Sequence, residues 1–260
     1  MTEDPGVREL WVVRLGRMGY AEALELQRRI ARDRITGAIP QDVLLLVEHP
    51  PVVTLGRSTK QKNVISSPEF LASKGVELFE VERGGDVTFH GPGQLVGYPI
   101  IDLKRHKQDL HWFLRQVEGA LIQTLAEYGI PGERSTGFTG VWTNNRKIAS
   151  IGVHARDWVT WHGFALNVTT DLSFFDFIVP CGIDGVTMTS IEKELVLNEE
   201  PSAPNIDQVS DACANAFGKV FELKVVTATP EIPGIRTALD ADPTNERGLS
   251  PTQALEASPA

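Results

Sequence analysis

The chain has 260 residues, enough for one large domain or two small ones and for a core that needs no disulfide or metal. Hydrophobic residues make up 42% and charged residues 23%, which excludes wholesale disorder, a collagen-like fibre and a polytopic membrane protein. With 25 Lys and Arg against 34 Asp and Glu, the net charge of −9 argues against a general nucleic-acid binder and leaves room for a local basic patch.

In chain order, residues 10–17 read as a strand and 21–35 as an amphipathic helix. Leu24, Ile30 and Ala31 of that helix face the core, and Arg28, Arg29, Arg32 and Arg34 lie largely outside. Residues 43–47 are a continuous apolar run typical of a buried strand, and 52–55 follow as a short strand after Pro50-Pro51. Strands are expected at 77–81 and 94–101. Residues 109–128 form a helix with Leu110, Phe113, Leu114, Val117 and Leu121 on one stripe, ending at Gly129 before Pro131. Residues 141–143, the Asn144-Asn145 turn, and strands 147–156 and 160–169 make a run of hairpins. The last helix spans 206–221, with Cys213 on its apolar stripe. Irregular interleaving of strands and helices points to an α+β, mixed fold. Residues 1–229 are expected to form one domain. Residues 230–260, with five of the 16 prolines, are expected to be an extended or disordered tail.

Cys181 and Cys213 make no disulfide framework and suit a reducing compartment, and no metal-ligand spacing surrounds them. The first ten residues lack a signal-peptide pattern and no run of about 18 apolar residues occurs. The expectation is therefore cytoplasmic, with no membrane or nucleic-acid partner. Cys213 reads as a core residue. Cys181, in Val179-Pro180-Cys181-Gly182-Ile183, sits on a rigid turn suited to a nucleophile, although a structural thiol fits the spacing as well. The stretch Arg83-Gly84-Gly85-Asp86-Val87-Thr88-Phe89-His90-Gly91-Pro92-Gly93-Gln94 is neither a Walker A loop nor GxGxxG. Its glycines let backbone amides approach a ligand, and a plain tight turn is the competing reading. Lys147, Ala149, Ile151, Val153 and Ala155 alternate on one face of a strand. The other face carries the small or polar Ser150, Gly152 and His154, and Gly163, Ala165 and Asn167 on the next strand share that character.

RGGDVTFHGPGQLVGYPIIDL, then KIASIGVHAR, HGFALNV, PCGI and TSI, resemble in order and spacing the lipoyl(octanoyl) transferases, over residues 10–221. The resemblance implies the mixed sheet and packed helices of the biotin/lipoate ligase catalytic domain. It implies Cys181 as an acyl-thioester nucleophile and Lys147 as the partner that favours its thiolate and moves protons. It implies that Arg83, Gly84, Gly85, Asp86, Val87, Thr88, Phe89, His90, Ser150, Ile151, Gly152, His154, Gly163, Phe164 and Ala165 bind the acyl group. If Lys147 and Ser150–Gly152 line one pocket, Gly152 or a bulge must twist the strand. The implied donor is octanoyl-acyl carrier protein. The implied acceptors are lipoyl domains of 2-oxoacid dehydrogenase E2 subunits and the glycine cleavage H protein, with no cofactor, metal or ATP. An ATP-dependent lipoate ligase and a non-catalytic lipoyl-domain-binding protein are the alternatives. Two basic runs, Arg57/Lys60/Lys62 and Lys104/Arg105/Lys107, are each either plain solvated loops or a dock for an acidic carrier.

Overall fold

Apolar runs of four to nine residues bounded by Gly, Pro and Asn set the strands, and stretches with apolar residues three and four apart set the helices. The computed structural model describes residues 8–198 and 203–228. In chain order these form β1 (Glu9–Arg17), α1 (Tyr20–Thr36), β2 (Asp42–Glu48), β3 (Val52–Leu55), α2 (Pro68–Ser73) and β4 (Glu77–Glu80). Then come β5 (Thr88–His90), β6 (Gln94–Ile100), α3 (Leu110–Ala126), β7 (Gly140–Thr143), β8 (Arg146–Arg156) and β9 (Val159–Asn167). The run closes with α4 (Ile191–Leu197), α5 (Ile206–Phe221) and β10 (Lys224–Thr227). The expected tail at 230–260 lies outside the described residues.

A seven-stranded mixed sheet runs in the order β10-β1-β2-β6-β9-β8-β7, and a small sheet runs β4-β3-β5. β1 is parallel to β10 and β2, whereas β2, β6, β9, β8 and β7 pair antiparallel in turn. The continuous apolar run of β2 is explained by burial on both faces. Leu44 and Leu46 join Phe113, Val117, Leu121 and Phe217 of α3 and α5 in one core. Val43, Leu45 and Val47 join Ala23, Leu26 and Ile30 of α1 in the other. α3 begins at Asp109, whose side chain accepts from the Trp112 amide, and Gly129 closes the following turn at φ +68°. α5 opens with a capping box between Asn205 and Gln208.

Three local expectations change. The glycine-rich stretch contains a strand, β5, and α2, α4 and β10 appear where no element is expected from the sequence. Arg34 turns inward and is buried, because it reaches Asp42 at 3.1 Å and Asp102 at 3.7 Å. A buried guanidinium is tolerable when carboxylates face it. The smallness of Gly152 and Gly163 serves contact between chain segments. A Cβ on Gly152 would stand 2.8 Å from the Gly84 carbonyl oxygen, and one on Gly163 would stand 2.1 Å from that of Gly97.

Candidate active site

α1 crosses one face of the large sheet over β6 and β9 and leaves β8 uncovered on that side. The glycine-rich loop fills the gap, with the Gly84 amide donating to the Val153 carbonyl at 2.9 Å. Between the loop, β8, β9 and the 180–183 turn lies a cleft of about 800 Å³ including its open mouth. Its size suits a small ligand or an acyl chain.

The loop is braced by Arg83. The buried guanidinium donates to the Thr54 carbonyl and hydroxyl at 2.7 and 2.8 Å, and to the Gly84 and Asp86 carbonyls at 3.2 and 2.7 Å. No carboxylate is among these hydrogen-bond partners, although the Asp86 carboxylate shares the cleft with the guanidinium. Burial lowers its pKa, partly offset by Tyr20 and Cys181 close by. Beyond the loop, alternation along β5 divides the residues. Thr88 and His90 line the cleft, and Val87 and Phe89 enter a small core beneath.

Cys181 occupies a one-turn 3₁₀ segment, Pro180–Gly182, at φ +56°, ψ +18°. That left-handed backbone is rare for a residue with a Cβ and costs on the order of 1 kcal/mol. It is held by the Cys181 amide donating to the Val87 carbonyl at 2.9 Å. The half-buried thiol points at Ser150, with Sγ donating to Oγ at 3.5 Å. Gly182 lies against the Asp86 carboxylate, where a Cβ would stand 2.5 Å away.

Lys147 reaches the same cleft through a bulge. Val141 pairs with Ala149 but Trp142 pairs with Lys147, so the β7–β8 register shifts at Ile148. Ile148 and Ala149 both enter the core, whereas Lys147 and Ser150 both line the cleft. The backbone of Lys147 is zipped to the segment after Cys181, donating to the Thr187 carbonyl at 2.8 Å and accepting from the Thr189 amide at 2.9 Å. Its side chain is 1% exposed. The Nζ donates to the Thr139 carbonyl at 3.4 Å and sits 4.8 Å from the Trp142 ring centre. No carboxylate pairs with it among the described residues.

Burial lowers the pKa of the imidazoles nearby. Burial lowers His90 to about 3, and its Nδ1–H donates to Gln94 Oε1 at 2.8 Å. Burial likewise lowers His49 to about 4. It donates to the Met18 carbonyl and accepts from the Tyr98 hydroxyl, each at 2.7 Å. His162, buried at φ +55°, is also pushed down, chiefly by burial. The basic side chains lining the cleft besides these imidazoles are Lys147 and Arg83.

Of the residues singled out from sequence, Arg83, Gly85, Asp86, Thr88, His90 and Lys147 line the cleft together. So do Ser150, Ile151, Gly152, Gly163, Phe164, Ala165 and Cys181. Gly84 contributes backbone packing, Val87 and Phe89 are core, and His154 stacks edge-on against Trp161 outside the cleft. Sequence reading passed over Tyr20, Val96, Tyr98, Phe138, Thr139 and His162, which also line it. Val96 and Tyr98 share a strand face and His162 stands beside Gly163, which are weak signals. Tyr20 and Phe138 arrive by tertiary packing alone. Among the described residues no group of three or more acidic, His or Cys side chains is arranged to hold a metal, and no helix is long and apolar enough to cross a membrane.

The lipoyl protein ligase A/B catalytic domain matches residues 19–218. The octanoyltransferase of Acidobacterium capsulatum is 51% identical over 228 residues, covering 83% of this chain and 91% of that one. This chain belongs to that catalytic-domain family. The octanoyltransferase of Rubrobacter xylanophilus is 55% identical over 178 residues, covering 68% and 79% of the two chains. By fold, the bipartite lipoate protein ligase of Thermoplasma acidophilum superposes with a TM-score of 0.69 at 16% identity, covering 92% and 95%. A lipoate-protein ligase A bound with ATP superposes at 0.71 and 17% identity, covering 88% and 92%. The ligases share the fold with this chain, and the closer sequence relatives are acyltransferases. Its activity is octanoyl transfer in protein lipoylation.

Proposed function

We propose that the chain takes an octanoyl group from acyl carrier protein onto Cys181 as a thioester and passes it to a lysine amine of a lipoyl domain. The acceptors are the lipoyl domains of 2-oxoacid dehydrogenase E2 subunits and the glycine cleavage H protein. The observation that carries this reading is the meeting of a half-buried thiol on a left-handed turn with a buried, carboxylate-free lysine in one cleft.

The Cys181 thiolate attacks the thioester carbonyl of the donor, the carbon–sulfur bond to phosphopantetheine breaks, and the carrier leaves as a thiol. The acceptor amine then attacks the Cys181 thioester and releases the thiol. The Lys147 ammonium and the Arg83 guanidinium favour the thiolate, and Lys147 gives its proton to the departing carrier sulfur; once Cys181 is acylated, the neutral Lys147 takes one proton from the incoming amine and passes it to the departing Cys181 sulfur. The oxyanion needs donors from outside the nucleophile turn. The amides of Cys181, Gly182 and Ile183 are spent on Val87, Val179 and Pro180. Ser150, within reach of the sulfur, supplies a hydroxyl in this role. The acyl chain runs along the cleft past Ile151, Phe164 and Ala165. A free, half-buried catalytic thiol suits a reducing compartment, which fits work in the cytoplasm.

Intact-mass analysis after mixing with octanoyl-acyl carrier protein, without ATP, tests the route. One octanoyl adduct is expected, mapping to Cys181 and discharged by a lipoyl domain. Product formed with no adduct at any time sinks the acyl-enzyme and leaves direct transfer.

A further inference from the structure

Resting on the acyl-enzyme reading, we propose that residues 57–62 form the docking surface for the acidic carrier and its phosphopantetheine arm. Of the two basic runs in the sequence, the structure separates one from the other by what each is attached to. After β3 the chain turns at Gly56, where a Cβ would stand 2.4 Å from the Gly85 carbonyl. The Arg57 and Ser58 amides then donate to the Arg83 and Gly85 carbonyls at 3.0 and 3.1 Å. At its far end Asn63 donates through Nδ2 to Asp86 at 2.6 Å, and its carbonyl accepts from the Val179 amide at 2.7 Å. Val179 is two residues before Cys181. The segment therefore spans from the glycine loop to the nucleophile turn, an outer rim one layer behind the residues that line the cleft.

Arg57, Lys60 and Lys62 are exposed on that rim, and none has a carboxylate partner among the described residues. Residues 49–68 carry these three cations and no acid, in a chain of net charge −9. Several other surface cations are paired with carboxylates, as at Arg17–Glu48 and Arg28–Glu82, and here three without such a partner among the described residues lie within six positions. A rim left positive attracts an acidic partner and a phosphodiester at the mouth where the thioester enters. The other run is engaged internally. Lys104 faces Asp102, Lys107 faces Asp109, and Arg105 donates to the Pro40 carbonyl. Neither run lines the cleft itself, so what separates them is attachment: only the 57–62 segment is hydrogen-bonded to the glycine loop.

The test compares Lys60→Glu/Lys62→Glu with a control of equal charge change, Lys104→Glu/Lys107→Glu, in the full chain. Acylation is measured with octanoyl-acyl carrier protein and with the octanoyl thioester of N-acetylcysteamine, which carries neither carrier nor phosphate. At low salt the rim variant should raise KM for the carrier-bound substrate on the order of tenfold and leave the small thioester within about twofold. The gap should close as salt is raised past about 0.5 M. The control should behave like the parent. Equal changes with both thioesters, or an equal effect of the control, overturn the docking surface. So does a defect confined to discharge by the lipoyl domain, which would assign the rim to the acceptor. A parent chain acylated by neither thioester would instead remove the acyl-enzyme reading itself.

Discussion

Cys213 lies mid-way along α5 with no exposed surface, and burial pushes its thiol up to about 12. Cys181 lies half-buried on a left-handed turn at a cleft that holds Lys147 and Arg83. One side chain type thus serves two ends. Where apolar helices surround it, the neutral thiol is a small core residue. Where a turn holds it beside Ser150 in a cleft lined by Lys147, Arg83 and Asp86, the sulfur is open to an incoming ligand. The surroundings, and not the residue, decide reactivity.

The largest break in that comparison comes from exchanging the two thiols. Cys181→Ser should lower octanoyl transfer on the order of 10³-fold or more, with the thermal midpoint nearly unchanged. Cys213→Ala should keep the rate and cost about 1 kcal/mol of stability, read from denaturant midpoints. Comparable rates in the two variants would remove Cys181 from the chemistry.

A smaller effect sharpens the role of the cation. Lys147→Met should slow acylation by ~10²-fold or more and reduce iodoacetamide labelling of Cys181 at pH 7. Trp142→Leu takes away the ring under Nζ and should cost only a few-fold in the same two readouts, in line with a cation–π contact of about 1 kcal/mol. Labelling of Cys181 that ignores both substitutions would separate the ammonium from the thiol.

The smallest expected effect concerns Cys213 alone. Because the folded state keeps this proton up to about 12 and the unfolded chain sheds it near the ordinary thiol value, its contribution to stability is complete at neutral pH. It is lost as pH rises between those values, at no more than ~1.4 kcal/mol per pH unit. Cys213→Ala should flatten the alkaline decline by that amount, and the native chain should resist alkylation at Cys213 at pH 9. Labelling of native Cys213 at a rate comparable to Cys181 would contradict its burial.

Much of the fold was legible because its signals are local. The double-faced burial of β2, the Asn144-Asn145 turn with φ +47° and +61°, and the stripe of α5 each follow from residues a few positions apart. Short elements were not. β5 is three residues among glycines, and β10 is an edge strand only because β1 lies beside it. Arg34 reads as an outward arginine until Asp42 and Asp102 are placed opposite it.

For the candidate site, the sequence by itself determined which chemistries were on hand: a thiol on a Pro/Gly-bounded turn, a lysine in an apolar strand and a loop rich in glycine. Motif order was enough to group them. Only the tertiary structure decided that Lys147 and Ser150 share a face, because a one-residue bulge at Ile148 breaks a strict two-residue period. It also decided that the Arg83 donors are spent on Thr54 and loop carbonyls, that Val87 and Phe89 are core, and that Tyr20 and Phe138 reach the cleft. Most of those outcomes depend on groups brought together from distant parts of the chain, as with Arg83 and Thr54, 29 residues apart. No local pattern encodes such a distance.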